Sequence, residues 1–96
     1  MNHKQAIITA ALEVASKPGG WAALTRQAVA QRAKCSEALV SQHFGTMVEF
    51  KRDIMRHAIR ANDLIIIGQG VAAGDRHTRK LPEDVRKAAL ASLANA

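Results

Sequence analysis

The sequence predicts an all-α chain, and three observations support that class. Apolar residues recur at helical spacing along most of the length. Aromatic residues make up only 3% of the composition, with alanine and short aliphatics in their place, which favours helices. The interruptions fall at glycine and proline or at residues suited to helix ends. With 96 residues, 48% of them hydrophobic, the chain suffices for one domain with a modest core. Chains of this size often gain stability by dimerising.

Each element follows from local signals. In residues 3–16, Ile8, Ala11, Leu12 and Ala15 form one apolar helical face, and Pro18-Gly19-Gly20 ends that helix. Trp21 and Leu24 are expected to drop into the core from the connection. Thr25 suits the N-cap of a second helix over 26–33, in which Val29 and Ala33 face inward and small Ala30 permits close approach. Lys34-Cys35 forms a turn and Ser36 caps a third helix. Val40 and Phe44 point into the core at i, i+4, and Gly45 closes this helix. Thr46-Met47-Val48-Glu49 is a capping box opening a fourth helix. Met47, Phe50, Ile54 and Ala58 give that helix an apolar stripe, and Arg52, Arg56 and Arg60 line another face.

After Asn62 the pattern weakens. Ile65-Ile66-Ile67 has strand propensity, but a lone strand has no partner, so a short helix near 63–73 is expected despite Gly68, Gly70 and Gly74. Arg76–Lys80 reads as a basic loop. Pro82 suits a first helical position, with Glu83 and Asp84 complementing the helix N-terminus. Val85, Ala89 and Leu93 then predict a last amphipathic helix to about residue 94. The division expected is a head over 1–62 and a short helical appendage over 63–96.

Several classes of function are disfavoured. Cys35 is the single cysteine, so no internal disulfide and no cysteine-based zinc site can form. His3, His43, His57 and His77 lie at no metal-binding spacing. Gly68-Gln69-Gly70 lacks the strand-then-helix context of a nucleotide loop. Local spacing yields neither a nucleophile–base–orienter triad nor paired carboxylates. The expectation is no enzyme, no cofactor and no metal. Glu13 interrupts the N-terminal apolar stretch, which makes a poor signal peptide, and Leu64–Ile67 is far too short to span a bilayer. A cytoplasmic protein without a membrane partner is expected.

The net charge of +6 suits a polyanionic partner. Thr25–Phe50 reads as helix, three-residue turn, helix, then a capped helix: the layout of a helix-turn-helix unit that binds double-stranded DNA. A helix entering the major groove needs an outward face of small or polar residues and an inward apolar edge. Ser36–Phe44 has that division. Gln42 can pair bidentately with adenine, Glu37 can accept from cytosine N4, Ser41 can bond to bases, Leu39 can touch a thymine methyl, and Ala38 allows close approach. Ser36 and Thr46 at helix starts are candidate phosphate contacts, with Arg26, Arg32 and Lys34 adding charge along the backbone. Two alternatives stand beside this reading: a non-sequence-specific architectural nucleic-acid binder, and a helical protein-interaction module without DNA binding. Glu37 opposes purely non-specific phosphate binding and favours base readout.

These residues resemble the N-terminal domain of the TetR (tetracycline-repressor-like) family of bacterial regulators over roughly residues 5–60. Ala10-Ala11-Leu12-Glu13-Val14 matches the family's first helix. Thr25, Val29-Ala30, Ala33, Ser36, Val40 and His43-Phe44-Gly45 match its T-x-x-x-IA-x-x-AGVS-x-G-x-LY-x-HF run. The resemblance implies a TetR-like, homeodomain-like helix-turn-helix bundle with one or two extra C-terminal helices. It places Glu37, Ala38, Leu39 and Ser41 near bases or their flanking phosphates, His43 on a phosphate, and Thr25 in the phosphate-facing set. Lys34 stands where the family has its turn glycine, Ser41 where it has tyrosine, and Met47 where lysine is frequent. Cys35 takes a core valine position, which implies a buried, unreactive thiol. The chain stops at Ala96, with no room for the family's ligand-binding domain, so no small-molecule inducer is expected. The expected protein is a homodimeric regulator, more a repressor than an activator, of bacterial, phage or plasmid type. It reads a short inverted repeat and dimerises through residues 63–95, where Leu64, Ile65, Ile66, Ile67 and Val71 offer aliphatic surface.

Overall fold

The computed structural model describes residues 2–96, and they are helical with no strand among them. The first helix, α1 (His3–Ala15), starts where the Asn2 side chain accepts from the Gln5 N–H at 2.8 Å. Its inward face is broader than the sequence pattern suggested. Ile7 is fully buried beside Ile8, Ala10, Ala11 and Ala15, while Leu12 is only half-buried. Trp21 and Leu24 drop into the core from the connection, as their apolar bulk dictates.

Three capped helices follow. Thr25 caps α2 (Arg26–Ala33), Ser36 caps α3 (Glu37–Phe44), and the Thr46–Glu49 capping box opens α4 (Met47–Arg60). In α4, Phe50, Ile54, Met55 and Ala58 are buried, and Met47 is half-buried at the stripe's edge. Phe44 stacks tilted on Phe50, with ring centroids 4.9 Å apart, so the end of α3 is keyed to the first turns of α4.

The C-terminal third is helical too. Asp63 caps α5 (Leu64–Ala72), and the isoleucine run is helical rather than extended. Where the sequence suggested a basic loop over Arg76–Lys80, the chain makes a one-turn helix, α6 (Arg76–Arg79). The reason is Asp75, whose side chain accepts from the His77 and Thr78 N–H groups, while Thr78 is fully buried. The last helix, α7 (Glu83–Ala94), starts one residue later than expected. Pro82 takes the N-cap, with an extended ψ of 149°, instead of the first helical position.

The pair α5 and α7 packs most extensively. Gly68 allows this, because a Cβ there would strike the Ala89 carbonyl oxygen. Ile66, Ile67 and Ala89 belong to the same buried cluster as Ile7, Val29 and Ile54. A buried side chain ties these parts together. Gln69 Nε2 donates to the Ala15 carbonyl at 2.7 Å, and Gln69 Oε1 accepts from the Trp21 N–H at 2.7 Å. One residue of α5 thereby satisfies both the end of α1 and the connection after it.

Candidate nucleic-acid interface

The site is built on the join between α2 and α3. Lys34 ends α2 in the left-handed conformation, φ 58° and ψ 47°, and its N–H reaches the carbonyls of Ala30 and Gln31. The Cys35 N–H donates to the Ala30 carbonyl at 3.0 Å. This tight reversal turns the chain within three residues. Lys34 adopts it without glycine's freedom, at about 1–2 kcal/mol for an L-residue in this region. The Cys35 thiol is half-buried.

Val40 and Phe44 seat α3, with 1% and 6% of their surfaces exposed. Residues advance by about 100° around a helix, so Gln42 lies nearly opposite the edge those two define, and Ala38 lies one turn before it. Both are exposed, as is Glu37 in the first turn. Ser41 is half-buried at one flank. Leu39 is divided between two roles, half-buried against the core cluster with the rest of its surface outward. His43 is exposed in the last turn of α3.

The phosphate candidates differ in what they have left to offer. Thr25 Oγ1 accepts from the Ala28 N–H at 3.1 Å, and Ser36 Oγ accepts from the Leu39 N–H at 3.1 Å. Each cap uses an oxygen lone pair and leaves the hydroxyl proton to donate. Thr46 is more committed: its N–H and its hydroxyl both donate to Glu49 Oε1, at 3.1 and 3.0 Å. Those bonds hold the Glu49 carboxyl below the usual carboxylate range, the backbone bond contributing most. Lys34 is exposed on the turn, whereas Arg32 pairs with Glu13 at 3.0 Å. At Arg26, in the first position of α2, the Nε is buried and has no hydrogen-bond partner among the described residues.

A second cationic feature was not legible in the sequence. A cleft of about 640 Å³ opens between α4, α6 and Trp21, and Arg52, Arg76 and Arg79 are among its lining residues. Its floor is fixed by Lys51, whose Nζ donates to the Trp21 carbonyl at 2.9 Å and lies 4.4 Å from the centre of the indole ring. Burial pushes the Lys51 pKa down, against the opposing pull of Asp75. Arg52 read as one of three arginines along a face of the fourth helix and Arg76 as part of a loop, and nothing in their spacing announces that they meet. Among the described residues, no group of three His, Cys, Asp or Glu side chains could hold a metal ion, and no helix is long and apolar enough to cross a membrane.

Comparison of the chain with models of known families, with curated proteins and with solved structures finds no match.

Proposed function

We propose that this chain is a sequence-specific DNA-binding transcriptional regulator of TetR-like helix-turn-helix type, acting as a cytoplasmic repressor. The observation that carries the reading is the division of α3. One edge is locked into the core by Val40 and Phe44, and the opposite face presents Ala38 and Gln42, flanked by Ser41 and Leu39, while Glu37 is exposed in the first turn on the Val40 side. A recognition helix needs that combination of rigid seating and readable surface. Thr25, Arg26, Lys34, Ser36 and His43 are the phosphate contacts, fixing register rather than sequence. Arg26, in the first position of α2, adds a guanidinium to this set. Thr46 joins this set only by releasing Glu49.

The regulator works as a homodimer on an inverted repeat, since one head reads only a few base pairs. Within residues 63–95 the surface for a second copy is not the isoleucine run, because Ile66 and Ile67 are inside the chain's own core. It is the outward side of α7, where Leu90 is 41% exposed. Sedimentation should give a dimer mass on a two-site duplex, and a single copy per duplex overturns this part.

Selection of bound duplexes from a random pool tests the whole reading. The expected result is a short palindromic consensus. Gln42→Ala or Ser41→Ala should then relax preference at particular base pairs by about 1–3 kcal/mol per lost contact. Equal weakening on all sequences would point instead to an architectural binder, and no bound duplex at all to a protein-interaction module.

A further inference from the structure

We infer that the cleft between α4 and α6 is a second DNA-backbone contact, in which Arg52, Arg76 and Arg79 neutralise phosphates flanking the site read by α3. This rests on the DNA-binding reading above. Three observations converge on it. First, the arginines come from two walls of one cleft, Arg52 from α4 and the other two from α6.

Second, each acid in the cleft has one oxygen already committed, while two of the three arginines pair with no acid among the described residues. Glu49 Oε1 takes two hydrogen bonds from Thr46, and Asp75 Oδ1 takes the His77 and Thr78 N–H groups. Arg76 and Arg79 pair with no acid among the described residues, and Arg52 gives its Nε to Asp53 at 3.1 Å. Guanidinium donors therefore outnumber the carboxylate oxygens free to receive them, which suits an incoming anion.

Third, the cleft adjoins the reading helix. Its α4 wall begins at Val48, in the first turn of α4, and only Gly45 and Thr46 separate α4 from the end of α3. With α3 in the major groove, the start of α4 borders the flanking strand, and the cleft lies next along it. Val48 is 81% exposed at this rim, an aliphatic surface that suits deoxyribose between phosphates. The surplus of guanidinium donors, in a cleft whose α4 wall begins two residues past the reading helix's connection, fits a duplex backbone by charge.

The test compares wild type with the Arg76→Ala/Arg79→Ala double variant on the selected duplex across a salt series, with Lys17→Ala, an exposed cation after α1, as control. The slope of log affinity against log salt should flatten by about 3.6 for four lost phosphate contacts in the bound dimer, two per protomer at about 0.9 each. Base preference should stay unchanged, and hydroxyl-radical protection should shorten at the ends of the site. Arg76→Lys/Arg79→Lys should restore the slope, which a folding defect would not do, and the control should match wild type. Specific binding by the double variant with the wild-type slope and footprint overturns this inference alone and leaves α3 as the reader. The same result with lost binding to a polyglutamate peptide overturns it in favour of an acidic protein segment. Failure of the wild type to bind any duplex overturns both readings.

Discussion

The α2–α3 pair and the α5–α6 segment treat their polar groups in opposite ways. Along α5 and α6, polar atoms turn inward and find partners. Gln69 satisfies backbone groups of Ala15 and Trp21, and in the neighbouring turn the buried Thr78 hydroxyl donates to the Asp75 carbonyl at 2.9 Å. Where α2 meets α3, the contact is apolar and the polar groups turn outward. The hydroxyls of Thr25 and Ser36 keep their protons available, and Gln42 and Lys34 are exposed. An inward polar group with all its bonds made is architecture. An outward group with bonds still to make is a means of binding something else.

The sharpest way to break this contrast is to unseat α3. Phe44→Ala removes a buried ring stacked on Phe50 and should cost about 3–5 kcal/mol, a large part of the roughly 5–15 kcal/mol available to a domain. Urea denaturation followed by circular dichroism measures it. A loss below about 1 kcal/mol would mean that α3 is not held through Phe44.

The complementary change strikes the inward polar hub. Gln69→Leu leaves the buried Trp21 N–H and the Ala15 carbonyl without their side-chain partners. At about 1–3 kcal/mol for each orphaned group, the expected loss is about 2–6 kcal/mol. The folded fraction should retain its duplex preference. A shifted consensus would show that the C-terminal helices also shape the reading face.

The two regions differed equally in how far the sequence disclosed them. The caps at Thr25, Ser36 and Thr46 were legible because each bonds three residues along the chain, a spacing the sequence displays directly. The seating of α3 was legible because Val40 and Phe44 repeat at i, i+4. Gln69 was opaque: its partners lie 48 and 54 residues away, and its type alone suggests a surface amide. Gly68 read as a weakness in a helix, and only the approach of Ala89 shows why a side chain is excluded. The aliphatic surplus of Leu64–Ile67 suggested an interface with another copy, yet much of it is consumed by packing against elements distant in sequence. The arginine cleft was hidden likewise, since α4 and α6 meet only through the tertiary fold.

A smaller change tests the turn between α2 and α3. Lys34→Gly removes the penalty of a left-handed L-residue and should raise stability by about 1 kcal/mol, read from the urea midpoint. The same variant loses an exposed cation, so duplex affinity should fall as stability rises. If both moved upward, Lys34 would be a conformational burden with no compensating contact.

The smallest effect lies at the start of α4, where the reading unit meets the rest of the chain. The bonds from Thr46 lower the Glu49 pKa from 4.5, so between the folded value and 4.5 the unfolded chain takes up a proton that the folded chain refuses. Glu49 therefore contributes stability in full above pH 4.5 and loses it as pH falls through the folded value. His57 acts in a higher window. Burial first, then Arg60, lower its pKa from 6.5, so its contribution is complete above pH 6.5 and declines with acidification below that. Urea midpoints from about pH 7 to about pH 3 for wild type and Glu49→Gln separate the two. The curves should run parallel through the His57 window and converge only below 4.5, because glutamine keeps an acceptor but has no proton to gain. Convergence already near pH 6 would show that the capping box does not hold α4 as its hydrogen bonds imply, and the cleft beside it would lose one of its fixed walls.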